Sequence, residues 1–394
     1  MSRDQVGETA GQAPAAVSYE IVTSPDRFGQ LEFEWQRLWE AGERNVFQSY
    51  HWIAAWRSNS TNHLFIALAW NGQRLVAVLP FAIRRWCGTR ILEWAAQAVS
   101  DYCDAIGEQP EIVRLLWQEV SKTGGFDVIR LKNVRPDSAI AAVFADSMES
   151  RQEGDVCLNL RNEWANGEHW FRTQNKKKRN NFSRGKRMLT QEGELAFQQM
   201  TETPEPKLLE QLVEMKRQNM AANGIKSSSD TAMLVALTRA LEKIEALKIF
   251  LATCGDRLVA ASINAVQGKV LLAYFAVYDA AFARASPGIL LMTEYTRWAF
   301  DTGLTKVDYL RGEETYKFEF ANDVVRLNSY ILGVTYWGRL SLTLLRIWQS
   351  TRDRGASRQL AIDPEIGSAD TSKAGNVRSA APGPVASPAA QTID

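Results

Sequence analysis

Residues 257–288 read RLVAASINAVQGKVLLAYFAVYDAAFARASPG, and this stretch decides the fold. Its two apolar runs, Leu258–Val266 and Lys269–Tyr278, are rich in β-branched and aromatic residues, which favour strands. The pair Gln267-Gly268 between them predicts a tight turn, because glycine readily adopts positive φ. A third apolar run, Leu247–Thr253, comes just before. The sequence therefore predicts a meander of three antiparallel strands.

The residues after this meander predict alternating helices and strands. A polar loop, Asp279–Pro287, leads to a helix over Gly288–Thr302, which the following glycine ends. A strand at Lys306–Leu310, a short helix near Glu313–Phe318 and a strand at Val325–Leu332 come next. This order predicts a mixed α/β fold, with mostly antiparallel sheets flanked by helices.

The first half of the chain repeats parts of this pattern. Gly72–Ala77 (GQRLVA) matches Gly255–Ala260 (GDRLVA), and Thr123-Gly124 matches Thr302-Gly303 in the same order and at a similar offset. Chance similarity among common turn and strand sequences is the alternative explanation. Because the order and the offsets agree, we predict two tandem copies of one α/β domain.

The predicted domains are residues 18–155 and 156–354, and the tails 1–17 and 355–394 are predicted to be disordered. The C-terminal tail is rich in Ala, Ser and Pro and has no aromatic residue, so it buries too little apolar surface to offset its ordering entropy. The N-terminal tail is composed mainly of Ala, Gly and polar residues.

Local signals predict further elements. Ser24 and Pro25 mark the start of one helix that continues to Trp39. Asn71-Gly72 is the preferred pair for a two-residue hairpin turn. A helix is expected near Asp137–Met148. After a strand near 156–160, the patterns predict four helices in succession, at about 162–173, 176–192, 204–222 and 230–246.

Composition and charge exclude several classes of function. The 394 residues are 45% hydrophobic and 23% charged, as in an ordinary soluble globular protein. A net charge of +1 gives no overall field that attracts DNA or an anionic membrane. The four cysteines form no CxxC pair and the three histidines are scattered. We therefore expect no metal site, and buried free thiols in a reducing compartment.

Nothing in the sequence predicts a membrane span or a signal peptide. Residues 1–20 have no apolar core of their own. The most apolar stretch, Val259–Tyr278, is interrupted by three polar side chains and a glycine, so it cannot cross a bilayer. We expect a cytoplasmic protein.

The start of the Gly288 helix has the features of a phosphate site. Backbone N–H groups and the positive end of the helix dipole attract phosphate at a helix N-terminus. Gly288 lets a phosphate approach the backbone, and a nearby guanidinium and hydroxyl add charge and a hydrogen bond. The predicted cofactor-binding residues are Arg284, Ser286, Pro287 and Gly288.

The corresponding helix of the first copy starts differently. It carries Glu108 and Glu111 around Pro110, and these carboxylates would repel a pyrophosphate. We therefore predict that the first copy is degenerate and that only the second copy binds a phosphate group. An ordinary helix start is the alternative for either copy.

This chain resembles the GNAT superfamily of N-acyltransferases. The shared order of elements is a meander, a loop, a helix, a strand, a short helix and a strand. Within this superfamily the chain resembles the tandem-GNAT proteins of the cellulose-biosynthesis (CelD-like) acetyltransferase family, and more distantly the Fem-type aminoacyl transferases. The resemblance covers about residues 20–340. The stretches that carry it are Phe47–Trp56, Ser100–Asp104, Lys176–Leu189, and Ser286–Gly288 through Asp308–Lys317. The loop departs from the acyl-CoA signature, since Pro287 replaces its first glycine.

The resemblance implies transfer of an acyl group from a thioester to an amine, with acetyl-CoA as donor and no metal. The thioester would lie between the strands Lys269–Tyr278 and Lys306–Leu310. Tyr316 is at the position of the tyrosine that protonates the thiolate, unless it is an anchored core residue. Asp308 and Glu313 are the candidates for removing the amine proton, although an acid at a helix start, such as Glu313, can be simply stabilising.

Residues of both copies are predicted to bind the acceptor. If the copies pack face to face, a turn of the first copy would line the cleft, and the basic run Arg172–Arg187 would attract an anionic group. A capped turn and a solvated helix face are the alternatives. The predicted substrate-binding residues are Asp101, Tyr102, Asp104, Lys178, Arg179 and Lys317.

The predicted function is acyl transfer, most simply of acetyl, to a polar small molecule or a sugar that is a polysaccharide precursor. The alternatives are a Fem-type aminoacyl transferase that uses tRNA, and a binding protein that has kept the fold and lost the site. We expect no DNA partner. The basic closing helix, Gly338–Arg354, is expected to dock on its own domain, with peripheral contact to a membrane or to polysaccharide machinery as the alternative.

Overall fold

The computed structural model describes residues 17–144, 151–222 and 230–345. Residues up to Leu342 form one compact unit; of a second unit that begins at Thr343, only 343–345 are described, and they are helical. Apart from Val17, the two predicted tails lie outside the described residues, as do residues 145–150 of the helix expected near Asp137–Met148 and residues 346–354 of the closing helix.

The first half of the chain contributes six strands, four of which form an antiparallel meander, and helices lie on both sides of the sheet. Its elements are β1 (Val17–Val22), α1 (Pro25–Gly29), α2 (Glu32–Ala41), α3 (Tyr50–Ser58), β2 (His63–Asn71), β3 (Arg74–Trp86), β4 (Thr89–Trp94), β5 (Ile106–Gly107), α4 (Pro110–Thr123), β6 (Val128–Val134) and α5 (Ala139–Val143).

The second half repeats the meander, the helix and the parallel strand that follows. Its elements are β7 (Arg151–Arg161), α6 (Gly167–Thr173), α7 (Lys176–Glu192), β8 (Leu195–Met200), α8 (Pro206–Ala222), α9 (Thr231–Lys243), β9 (Leu247–Cys254), β10 (Arg257–Gln267), β11 (Val270–Tyr278), α10 (Pro287–Asp301), β12 (Lys306–Arg311), α11 (Thr315–Phe320) and β13 (Asp323–Gly333). A last helix starts at Tyr336.

All the long strands join one mixed sheet, in the order β1-β2-β3-β4-β6-β13-β7-β12-β11-β10-β9-β8. The strand order is symmetric about the centre of the sheet. Each half contributes a meander followed by one parallel pair, which is β4 with β6 in the first half and β11 with β12 in the second. This arrangement confirms the predicted α/β fold class. It is also what a duplicated domain would produce.

The two halves meet at the centre of the sheet, where a strand of the second half pairs with a strand of the first. β13 comes from the end of the chain but lies beside β6 of the first half, and it also pairs with β7. β7 in turn pairs with β12. β7 crosses the predicted boundary at residue 155, and the division into two domains stays a prediction.

The helices divide the core into three parts. On one face of the sheet, α2 and α3 of the first half and α8 and α9 of the second share a single core, in which Trp35, Trp52 and Leu237 are buried. On the other face, α4 and α5 cover the first half, and α6, α7 and α10 cover the second. The shared core binds the two halves together through apolar burial.

The structure corrects several predictions of individual elements. The predicted helix from Ser24 to Trp39 is two helices, which break after Gly29, and glycine is a weak helix former in a helix interior. The hairpin loop is Gly72-Gln73 rather than Asn71-Gly72, because Asn71 pairs with Arg74 and only the glycine needs positive φ.

Similar corrections apply in the second half. The turn after β10 is Gly268-Lys269, one residue later than predicted, since Gln267 still pairs with Val270. The helix predicted from residue 162 starts at Gly167, after an Asn166 cap. The strand β8 was not predicted: its half-exposed residues alternate poorly, and only pairing with β9 defines it as a strand.

The cysteines also differ from expectation at one position. Cys103, Cys157 and Cys254 are buried free thiols, whereas Cys87 is exposed on the turn between β3 and β4. Within the described ranges, no group of three or more His, Cys, Asp or Glu side chains could hold a metal ion. None of the helices described there is long and apolar enough to cross a membrane.

Candidate functional site

The sheet splits at one point in the second half. β11 and β12 pair only where Val270–Leu272 face Lys306–Asp308. Beyond Asp308 the pairing of β12 with β7 is irregular, and Leu310 adopts a positive φ of 57°. An Asp308 carboxylate oxygen accepts a hydrogen bond from the Leu310 N–H at 2.9 Å. The buried carboxylate thus holds the bend that turns β12 away from β11.

On the face covered by α10, a cavity of about 230 Å³ lies at the start of that helix. Ser286 occupies the position before α10 with φ 53°, and its hydroxyl makes no cap hydrogen bond to the helix. Arg284, Ser286 and Thr293 line the cavity together with Tyr316 and Glu319 of α11. The predicted phosphate loop and the predicted acid are therefore in one place.

The basic helix α7 crosses this cavity. Gly185 makes the close crossing, since a Cβ there would overlap the carbonyl oxygen of Ala285. Lys178 donates a hydrogen bond to the Glu319 carbonyl, and its ammonium lies 4.6 Å from the centre of the Phe320 ring. Burial lowers the pKa of Lys178. With Arg184, which also lines the cavity, α7 supplies two cations to it.

Other predicted residues of this region have different surroundings. Pro287 is buried, and a Cβ at Gly288 would touch only the Tyr278 ring at 3.6 Å, an ordinary contact. Neither residue lines the cavity. Arg179 donates to the carbonyls of Arg172 and Gln174 and so ties α7 to the end of α6.

Tyr316 is half-buried, and this burial raises the pKa of its hydroxyl. The side chain is therefore a neutral phenol at physiological pH, able to donate a proton or a hydrogen bond. Glu313, the neighbouring candidate base, is exposed before α11. Glu314 forms an ion pair with Lys317 at 3.0 Å.

On the opposite face a larger cavity, about 340 Å³, lies between the two halves. Asp308 and Tyr102 are side by side in its lining, and the Tyr102 hydroxyl donates to Asp308 Oδ2 at 2.8 Å. Lys306 Nζ is 3.6 Å from the same oxygen. Burial raises the pKa of Asp308, whose side chain is 1% exposed.

Asp101 and Lys317 meet at the end of β12 through one arginine. Arg311 donates to Asp101 at 2.8 Å and to Asn133 at 3.0 Å, both in the first half. Lys317 donates to the Arg311 carbonyl at 2.7 Å. Burial raises the pKa of Asp101, against the opposing effect of Arg311. This network holds the turn of the first half against the strand of the second.

Asp104 has a different environment in the same turn. Its carboxylate accepts hydrogen bonds from the N–H groups of Ala105, Ala139 and Ile140, all within 2.9 Å, and thereby holds the start of α5. Burial raises the pKa of Asp104 to about 6. Asp104 lines the larger cavity, as Tyr102 does.

The structure thus brings Arg284, Ser286, Lys178 and Tyr316 together on one face, and Tyr102, Asp104 and Asp308 together on the other. It does not bring the two catalytic candidates Tyr316 and Asp308 into one cavity. Sequence reasoning missed Lys306, Arg135 and Arg184. Lys306 and Asp308, two residues apart on a strand and so on one face, carried a usable signal.

The second half of the chain is similar to a GNAT domain. The family model described as the acetyltransferase (GNAT) domain matches residues 176–318, from α7 to α11. No curated protein sequence matches the chain. The narrower resemblance to the cellulose-biosynthesis proteins stays a prediction.

Solved structures resemble the whole described fold at low sequence identity. The structure of FemX is 9% identical, covers 80% of this chain and 98% of its own, and has a TM-score of 0.52. The C-terminal domain of a putative lysylphosphatidylglycerol synthetase from Agrobacterium fabrum is 11% identical, with coverage of 80% and 96% and a TM-score of 0.50. A tandem GNAT protein from the clavulanic acid biosynthesis pathway is 12% identical, with coverage of 81% and 99% and a TM-score of 0.42. The first two comparisons support the fold.

Proposed function

We propose that the protein is an acyl-CoA-dependent N-acyltransferase that uses acetyl-CoA. One observation carries the proposal: Lys178, Arg184 and Arg284 converge with Ser286 and Tyr316 in one cavity at the N-terminus of α10. Cations, a free hydroxyl and a helix N-terminus are the groups that bind a pyrophosphate.

The position of the split in the sheet supports direct transfer. In this proposal the pantetheine arm runs from the α10 face into the gap between β11 and β12, and the acceptor amine approaches from the Asp308 face. The attacking nitrogen and the departing sulfur would then lie on opposite sides of the thioester carbon. The separation of Asp308 from Tyr316 fits this geometry.

The proposed reaction uses one group on each face. The acceptor ammonium gives a proton to Asp308, directly or through water, and its nitrogen attacks the thioester carbonyl carbon. The C–S bond then breaks, and the sulfur takes a proton from the Tyr316 hydroxyl. The second proton of the nitrogen passes through water to the Tyr316 oxygen, and Asp308 releases the first proton to solvent, so that both side chains regain their starting state. The raised pKa of Asp308 makes it a stronger base than an exposed carboxylate.

The donor site is tested by calorimetry with acetyl-CoA. Gly288→Glu places a carboxylate at the start of α10 and should weaken binding at least tenfold, about 1.4 kcal/mol. Space is available for the new side chain beside Tyr278, so the fold should survive. Gly29→Glu is the matched control, because nothing lies within 4 Å of a Cβ at Gly29. Equal affinity in both variants would contradict the assignment.

The exposed basic face of α7 favours a second candidate, an aminoacyl-tRNA donor. Lys176, Lys177, Lys186 and Arg187 are exposed on this helix. An RNA donor predicts RNA binding that weakens steeply with salt and no specific site for CoA. Saturable binding of acetyl-CoA together with thiol release on addition of an amine supports the proposed function. Binding without release would favour a non-catalytic protein.

A further inference from the structure

The larger cavity, between the two halves, is lined by more acidic than basic side chains. Five acidic side chains line it, Glu43, Asp104, Glu108, Asp137 and Asp308, against three basic ones, Arg44, Arg135 and Lys306. Its volume of about 340 Å³ is at the small end of the range for ligand sites. It therefore suits a small molecule rather than a polymer.

The two less exposed cations of this cavity already have carboxylate partners. Arg135 forms a bidentate pair with Asp137 at 2.7 and 2.9 Å, and its guanidinium lies 5.4 Å from the centre of the Tyr102 ring. Lys306 lies 3.6 Å from Asp308. The third cation, Arg44, is exposed at the rim and donates to the Glu40 carbonyl. An incoming anion would have to displace these partners.

Two of the five carboxylates in the lining differ from the two paired cations, because they have no ion-pair partner in the described part of the chain. Three of the five have cation partners: Glu108 pairs with Arg74 at 2.6 Å, and Asp137 and Asp308 are the partners of Arg135 and Lys306. No ion pair to Asp104 or Glu43 is formed within the described ranges, although Asp104 accepts backbone hydrogen bonds. Asp104 and Glu43 line the same cavity, and the pKa of Asp104 is raised mainly by burial and to a smaller extent by Glu43. A cation between the two carboxylates would reduce their repulsion.

Asp308 connects this charge pattern to the proposed reaction. It lines the cavity and is the last β12 residue that pairs with β11. An amine bound at Asp308 would therefore be next to the gap in which the thioester is proposed to lie. The two carboxylates that form no ion pair within the described ranges, Asp104 and Glu43, lie elsewhere in the same lining.

We propose that this cavity binds the acceptor as a small organic dication, a diamine or polyamine, with the reacting amine at Asp308 and a second ammonium near Asp104 and Glu43. The inference rests on the proposed function and specifies its substrate class. It implies that amines carrying a carboxylate or a phosphate are poor acceptors, because the same carboxylates repel them.

The test compares putrescine with 4-aminobutyrate, which has the same chain length and a carboxylate in place of the second ammonium. Thiol release from acetyl-CoA should be at least about tenfold more efficient in kcat/KM for putrescine. In the same assay Glu43→Gln should raise KM for putrescine about threefold to tenfold with kcat unchanged. It should leave n-butylamine, which has one charge, nearly unaffected. Glu40→Gln, an exposed change on α2 outside the cavity lining, is the matched control.

Binding measurements keep the inference testable if neither amine is acetylated. Calorimetry on protein saturated with CoA should show putrescine binding that Glu43→Gln weakens and Glu40→Gln does not. Equal efficiency for putrescine and 4-aminobutyrate, or no putrescine binding to the CoA complex, would overturn the inference while leaving the donor site intact. Failure of acetyl-CoA itself to bind would instead count against the proposed function.

Discussion

At the scale of single residues, the proposed chemistry depends on two side chains in unlike environments. Asp308 is fully buried, with Tyr102, Lys306 and the Leu310 N–H around its oxygens. Tyr316 is half-buried beside the cations of the α10 cavity. In the proposed reaction Asp308 accepts a proton, and Tyr316 keeps its proton until a thiolate forms.

Tyr316→Phe removes the hydroxyl and keeps the ring, so packing should change little. If Tyr316 protonates the thiolate, kcat should fall by about 10²–10⁴-fold, with the affinity for acetyl-CoA nearly unchanged. Thiol-release kinetics and calorimetry on the same variant check both. Tyr336→Phe, at a side chain that is 91% exposed, is the control. A lower melting temperature with normal kcat would show instead that Tyr316 is an anchored structural residue.

At the scale of elements, α7 has the clearest functional consequence. Its sequence shows a charged helix, but only the crossing at Gly185 shows that its basic residues lie over the start of α10. The close contact is possible because glycine has no Cβ. The close approach of α7 to the loop before α10 therefore depends on one small residue.

Gly185→Ala should push α7 away from the loop before α10. The added methyl overlaps the Ala285 carbonyl, and such overpacking typically costs about 1–3 kcal/mol. We expect a lower melting temperature and acetyl-CoA binding weakened by at least about tenfold, since Lys178 and Arg184 move with the helix. Ser183→Ala, at an exposed position of the same helix, should change neither. If the Gly185 variant binds acetyl-CoA with full affinity, α7 does not contribute to the donor site.

At the scale of the whole molecule, the halves depend on each other. β13 completes the first half from the far end of the chain, and α2, α3, α8 and α9 share one core. The larger cavity is also lined from both halves. The acceptor site proposed above consequently exists only in the full chain.

Lys178, Arg184 and Arg284 line the cavity at the start of α10, whereas Glu108 and Glu111 flank Pro110 at the start of α4, so calorimetry should find one acetyl-CoA per chain. In the first half, Glu108 is engaged by Arg74 and Arg37 near the start of α4. Residues 18–155 alone would leave β6 without β13 and the shared core open to water, and should neither fold cooperatively nor bind CoA. Two sites per chain, or binding by the isolated half, would be inconsistent with this asymmetry.

The sequence by itself determined the class of fold and most element positions. The strands of the meanders, the Ser24 cap and the glycines at Gly255 and Gly268 are local features, since each depends on side-chain periodicity or on backbone freedom within a few residues. At β8 the local pattern failed to predict the strand, because pairing with β9, about 50 residues later in the chain, is what defines it.

Only the tertiary structure decided how the candidate site is divided. The sequence could name Tyr102, Asp308 and Tyr316, but not that the first two touch and the third lies on the opposite face. It also gave no sign that Arg311 joins Asp101 or that Gly185 seats α7, because these contacts link residues 100 or more positions apart. Chain folding brings such residues together through burial of the surrounding apolar surface, which local sequence patterns do not record.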